Sequence, residues 1–168
     1  MCGIFACIGH EPLSILEVLK VLEILELEQE RPSESSPLGG DGAGVAFLDE
    51  GGRFIVEKVG KTKESPVYDL RLLLGKTAPS SCVILGHVRQ ASPEFEKTIE
   101  HKECTQPYKP LCPYNFNLVS AHNGVVQNYL ALKGKLNASH SFESQKVKKI
   151  IDSEVIPHLF EELLSESR

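Results

Sequence analysis

Apolar residues fall in short runs of two kinds along this chain. Residues 3–8 form a continuous apolar run, too short for a helix, and predict a buried strand. Residues 13–29 are rich in Leu and Glu, with Pro12 near their start, and predict a helix. Residues 31–44 are dense in Pro, Ser and Gly and predict a loop. Residues 44–48 and 53–59 flank the turn sequence Asp49-Glu50-Gly51-Gly52 and predict a β-hairpin. A short helix over 67–74 follows, then strands over 83–87 and 117–122. Between those two strands lies a loop of about 25 residues carrying Pro93, Pro107, Pro110 and Pro113, a length usually tied to function. A further short helix is predicted over 130–136. The last element, 153–164, reads as an amphipathic helix with Val155, Ile156, Leu159, Phe160, Leu163 and Leu164 on one side. Pro157 suits that helix only within the first turn.

The 168 residues predict one domain, 1–168. Eighteen Lys and Arg against 23 Asp and Glu give a net charge of -5, which argues against a nucleic-acid partner. Residues 13–27, the longest apolar-rich stretch, are interrupted by Ser14, Glu17, Lys20, Glu23 and Glu26, so no membrane partner is expected. Met1-Cys2-Gly3-Ile4-Phe5 does not read as a secretory leader. The five cysteines are odd in number, and together these features predict a reduced, cytoplasmic protein. Cys104 and Cys112, with His101 nearby, are spaced C-x7-C and lack a fourth ligand, so no metal is predicted. Gly39-Gly40-Asp41-Gly42-Ala43-Gly44 precedes a strand and does not fit the dinucleotide fingerprint. Gly60-Lys61-Thr62 and Gly75-Lys76-Thr77 lack the upstream glycine of a phosphate loop, Ile55 and Leu70 standing there instead. No cofactor is expected.

Candidate chemistry begins at Cys2. Removal of Met1 would leave a thiol within reach of its own α-amine, which titrates near ~8 and can serve as general base. The plainer reading is a buried strand cysteine. Gly86-His87-Val88-Arg89 ends a strand and offers a guanidinium suited to a carboxylate, or simply a surface arginine. Ala121-His122-Asn123-Gly124 offers an amide N–H2 and a glycine N–H as an oxyanion hole, or a plain Asn-Gly turn. Asp152-Ser153-Glu154 precedes a helix, where Asp152 could hold an ammonium group or cap the helix.

Taken in order, these segments resemble the class II glutamine amidotransferases, whose glutaminase domain is an N-terminal-nucleophile hydrolase. Met1-Cys2-Gly3-Ile4-Phe5 is similar to the family's processed nucleophile and Gly42-Ala43-Gly44 to its small-residue segment. Gly86-His87-Val88-Arg89 is similar to its arginine motif, His122-Asn123-Gly124 to its oxyanion motif, and Asp152-Ser153-Glu154 to its acidic motif. The resemblance implies an α+β fold of the four-layer αββα kind. It implies that Cys2 attacks the side-chain amide of glutamine while Asn123 and Gly124 hold the oxyanion. Arg89 would bind the substrate carboxylate and Asp152 its ammonium, with Ser92 also at the substrate. Ammonia would pass to a synthase partner. The alternative is a catalytically idle module that senses glutamine or docks on a synthase.

This chain departs from the sugar-phosphate branch of the family at Gln90, where an aromatic residue is common, and at Ser92-Pro93-Glu94, where Thr-His-Gly is common. Gly40-Asp41-Gly42-Ala43-Gly44 looks more like the glutamate-synthase branch. The family domain continues well past its acidic motif, so the sandwich is expected to be abbreviated at the C-terminus. A synthase subunit or a second copy would complete the sheets. Two expectations follow. Cys2, Asn123 and Gly124 should converge, with Arg89 and Asp152 farther along one cleft, and an apolar sheet surface should lie exposed.

Overall fold

The computed structural model describes residues 2–27, 39–75, 78–110, 112, 114 and 116–167. The predicted apolar run opens a longer strand, β1 (Gly3–Ser14), which leads directly into α1 (Ile15–Leu27). Residues 13 and 14, expected in the helix, close the strand instead. The Ser14 hydroxyl accepts a hydrogen bond from Leu16 N (3.3 Å) and so takes up a free donor of the first helical turn. Positions 28 and 29 of the predicted helix and most of the 31–44 loop lie outside the described residues.

The expected hairpin is present as β2 (Gly42–Leu48) and β3 (Phe54–Gly60), so residues 42–44 belong to a strand. Its turn is tied by Asp49, whose Oδ1 accepts from Arg53 N at 2.8 Å. Helix α2 (Pro66–Leu74) starts where sequence chemistry places it. Pro66 occupies the first position, and the Ser65 hydroxyl accepts from Tyr68 N at 3.0 Å. Strand β4 (Ser80–Val88) inserts between β1 and β2, giving a four-stranded antiparallel sheet in the order β1-β4-β2-β3. The architecture is α+β.

Alternation decides what each face of the sheet meets. Ala43, Val45, Phe47, Ile84 and Val88 face α1 and α2, where they bury against Val18, Leu19, Leu22, Val67 and Leu70. The opposite face carries His87 on β4 and Gly44 beside it on β2. There the backbone of the later chain comes very close: a Cβ on Gly44 would lie 2.2 Å from the Gln106 carbonyl oxygen. Only glycine fits. Along β1 the same face presents Ile4, Ala6 and Ile8 to solvent, with Ile4 39% and Ile8 86% exposed. The expected apolar sheet surface is therefore present, on an edge strand.

Residues beyond β4 are organised differently. The predicted strand over 117–122 forms no ladder. It makes one isolated bridge, Tyr108 with Ser120. Four 3-10 turns (Pro93–Thr98, Lys102–Cys104, Ser144–Val147 and Asp152–Glu154) and two helices, α3 (Tyr129–Lys133) and α4 (Val155–Glu166), enclose a second core. Phe95, Cys104, Tyr108, Tyr129, Phe142, Ile151 and Val155 fill it. Pro157 is the third residue of α4, where no helical hydrogen bond is lost. The apolar side expected on this helix is split: Val155, Ile156 and Leu159 pack into the second core, and its C-terminal half does not. Phe160, Leu163 and Leu164 are 57%, 62% and 41% exposed, while His158 and Glu161 are buried. The helix is turned this way because His158 and Glu161 gather with Cys112 and His140 beneath it.

The close approach at Gly44 is directly testable. Gly44→Ala places a methyl group against a backbone oxygen, with an expected loss of about 1–3 kcal/mol or more in urea unfolding. Gly134→Ala, whose Cβ would meet nothing nearer than 3.5 Å, should leave stability close to wild type.

Candidate active site

Strand register brings the first predicted site residues together. Gly3 pairs with Val88, so Cys2 emerges beside Arg89 and Gln90. Gln90 N donates to Cys2 Sγ at 3.4 Å, and the sulfur lies 3.5 Å from Gln90 O. Burial pushes the Cys2 thiol up, and the Gln90 backbone bond only partly offsets this. The thiol therefore needs a base to become a nucleophile at neutral pH.

Asn123 arrives from the opposite side. Its Nδ2 donates to Cys2 O at 2.8 Å, and its Oδ1 accepts from Cys2 N at 3.3 Å. One of its two amide protons is used in this clasp, leaving one to donate elsewhere. Gln106 holds the segment in place. Its Nε2 donates to His122 O at 3.0 Å, and its Oε1 accepts from His122 N at 2.6 Å. Gln106 rests in turn on His87, 3.3 Å away on the outer face of the sheet. Gly124 answers to more than a turn, since a Cβ there would lie 2.8 Å from His122 Nε2.

The Arg89 side chain is buried. Nη1 donates to Thr98 O (3.1 Å) and Nη2 to Thr98 Oγ1 (2.7 Å). No carboxylate among the described residues pairs with it. Asp152 is also buried, and its Oδ2 accepts from Val126 N at 2.7 Å. It does not cap α4, which removes the plainer reading of that residue. Ser92 opens the first 3-10 turn, with its carbonyl accepting from Phe95 N at 2.9 Å. Cys2, Arg89, Ser92, Asn123, Gly124 and Asp152 all line one cavity of about 250 Å³. That volume lies just below the ~300–1,000 Å³ usual for drug-sized ligands.

Four supporting residues escaped the sequence reading. Asp41 Oδ2 accepts from Ala91 N at 3.0 Å and its Oδ1 pairs with Lys61 Nζ at 3.0 Å, fixing the loop after β4. Asp41 lies in the glycine-rich segment already singled out, so its position was a usable signal. His87 likewise lies inside the quoted Gly86-His87-Val88-Arg89 motif, whereas Thr98 and Gln106 gave no signal, because each acts through a contact that leaves no local pattern. Cys104 packs in the second core and not with Cys112.

Among the described residues no helix is long and apolar enough to cross a membrane. No family model matches the chain. It is 31% identical over 169 residues to the isomerizing glutamine–fructose-6-phosphate aminotransferase of Halobacterium salinarum, covering 99% of this chain and 22% of that one. The enzyme of the same name from Pyrococcus horikoshii is 34% identical over 168 residues, covering 98% and 23%. That from Sulfurisphaera tokodaii is 32% identical over 132 residues, covering 75% and 19%. The chain thus spans about a fifth of the length of the curated relatives it matches. The α+β chain gathers a cysteine, an asparagine, an arginine and an aspartate around one small cavity. The chain belongs to the class II glutamine amidotransferases.

His87 supplies a pH test. Burial first, then the Arg89 and His122 charges, hold its ring down at about 3, against an ordinary value of 6.5. Between those two values the unfolded chain binds a proton that the folded chain refuses. Stability should therefore fall as pH drops from 6.5 towards 3, by up to about 1.4 kcal/mol per pH unit from this residue. Urea midpoints across that range should show a shallower slope for His87→Gln, and an unchanged slope would contradict the assignment.

Proposed function

We propose that the chain is a glutaminase domain that hydrolyses the side-chain amide of glutamine through Cys2 and supplies ammonia to a synthase partner. The observation that carries this reading is the shared cavity of Cys2, Asn123, Arg89 and Asp152. Removal of Met1 converts the Cys2 nitrogen from a peptide N–H into an amine, which takes the thiol proton. The sulfur attacks the amide carbon. The remaining Asn123 amide proton and the Gly124 N–H stabilise the oxyanion. The amine returns the proton to the departing nitrogen, which leaves as ammonia. Water then attacks the γ-glutamyl thioester, releasing glutamate and restoring the thiol.

Arg89 and Asp152 carry substrate recognition in this reading. A guanidinium without a carboxylate partner meets the substrate carboxylate, and the Asp152 carboxylate meets the ammonium. Ser92 adds a hydroxyl at the cavity wall. The architecture follows the same reading. The sheet with α1 and α2 forms one half of a four-layer αββα sandwich, and the second sheet, held by a synthase subunit, covers Ile4, Ala6 and Ile8. Two features favour an enzyme over an idle sensor: the relatives carry aminotransferase names, and the thiol sits beside unspent donors.

Expected outcomes are specific. After intact mass confirms loss of Met1, glutamine should yield glutamate and ammonia in equal amounts. Cys2→Ala should abolish turnover and keep glutamine binding. Asn123→Ala should lower kcat by about 10²–10³-fold. Arg89→Met should act mainly on KM, and a non-zwitterionic amide should bind poorly to wild type. Binding without turnover in the processed protein with its synthase would favour the sensor. In complex with that synthase, amide exchange over residues 3–8 should slow. Slowing with protein concentration alone would assign the face to a second copy.

A further inference from the structure

Four side chains remote from the cavity converge beneath α4. Cys112 Sγ lies 3.1 Å from His140 Nδ1 and 3.2 Å from His158 Nδ1, and the two ring nitrogens are 3.2 Å apart. A Glu161 carboxylate oxygen lies 3.6 Å from His140 Nδ1. All four donor atoms fall within 4.8 Å of one another. An ion held at ~2.0–2.3 Å by nitrogen, oxygen and sulfur sets tetrahedral neighbours roughly 3.3–3.6 Å apart. The cluster has that scale.

Protons alone do not satisfy these atoms. His140 Nε2 lies 2.6 Å from Glu162 Oε2. A carboxylate only accepts, so the ring proton sits on Nε2 and Nδ1 turns a lone pair into the cluster. The Cys112 thiol has one proton to share between two ring nitrogens. Glu161 adds an independent observation. Its side chain has no exposure, and among the described residues neither carboxylate oxygen meets a donor except the Cys112 thiol, whose single proton the two ring nitrogens also claim. A buried carboxylate without a donor of its own is costly, and a cation at the centre removes that cost.

Helix orientation points the same way. His158 and Glu161 are three residues apart, on one edge of α4. Hydrophobic packing alone would turn Phe160, Leu163 and Leu164 inward, yet these are the exposed ones. The helix buries its ligating edge instead. Outside the cluster, Glu162 fixes the His140 ring and Phe142 stacks on His158 with ring centres 4.2 Å apart.

We propose that Cys112, His140, His158 and Glu161 bind one zinc ion in a closed structural site. One thiolate, two imidazoles and one carboxylate suit a borderline-soft ion, and their two negative charges neutralise a divalent cation in a buried place. Four protein ligands leave no position for substrate, so the ion's role is to tie the helix to the chain around residues 112 and 140. Asp152 and Ser153, which line the cavity, sit immediately before that helix. Sequence spacing hid the set, because its members are separated by 28, 18 and 3 positions.

The test uses the full chain, stripped with a chelator and titrated with Zn²⁺ and with Co²⁺. One ion should bind per chain, and the Co²⁺ form should show tetrahedral visible absorption with a thiolate charge-transfer band. Cys112→Ser should remove that band, and Glu161→Gln should weaken Zn²⁺ binding. Glu162→Gln should keep the band while weakening Zn²⁺ by about 10–100-fold. Cys2→Ala and Cys104→Ser should leave both readouts unchanged. Zn²⁺ should also raise the Tm of the stripped wild-type chain. No stoichiometric metal, or no thiolate band in wild type, would overturn the proposal. So would a band that survives Cys112→Ser. If Cys112→Ser does not fold, the wild-type spectrum and Glu162→Gln decide.

Discussion

One row of the sheet governs the molecule. Val88, the last residue of β4, is flanked by Gly3 of β1 on one side and Ala43 of β2 on the other. Three chain ends therefore leave the sheet side by side: Cys2, Arg89 and Asp41. Further bonds weld the row together. Arg89 N donates to Gly42 O at 2.7 Å, and Asp41 N donates to Arg89 O at 2.9 Å. A slip of one residue in either pairing would reverse every side chain between core and outer face. The apolar faces of these strands, pressed on α1 and α2, forbid that slip. Hydrophobic burial on one side of the sheet thus sets the position of chemistry at its end.

Most of this row was legible in the sequence, because strand ends and alternation are local signals. The hairpin, α1, α2 and β4 fall close to their predicted places. Residues beyond β4 were less legible for a physical reason. Their order rests on side chains reaching across the fold, as Gln106 does to His122 and Arg89 to Thr98. Such contacts leave no period in the sequence. The segment over 117–122 has strand-like composition, yet a single bridge and the Gln106 side chain hold it in place of a ladder. In α4 the pattern was a good guide for Val155, Ile156 and Leu159 and a misleading one for Phe160, Leu163 and Leu164, since the helix turns His158 and Glu161 inward. The site residues were legible as a set through the order of their motifs, and only coordinates could remove the helix-cap reading of Asp152.

The two halves of the chain are held by different forces. Around α1 and α2 the core is apolar and non-directional, and conservative exchanges of similar volume should be absorbed. The later half depends on directional polar contacts in buried places. Glu154 accepts hydrogen bonds from Glu143 N, Ser144 N and Ser144 Oγ. Burial still pushes its carboxyl up, so those donors only partly offset the loss of water. Lys58 reaches Glu143 at 2.6 Å and joins this half to the sheet. Removal of one partner from such an arrangement leaves the other stranded, which costs more than the bond contributes.

The solvent-facing side of β1 has a mechanical consequence. Ile4 is two residues from Cys2 on a strand that, among the described residues, is hydrogen-bonded to the sheet along one side. Such a strand is the most compliant member of a sheet. A body seated on Ile4, Ala6 and Ile8 would stiffen it and limit how far Cys2 drifts from the Asn123 clasp. The thiol's aim and the grip on that surface are two readings of one lever, with the sulfur at its tip.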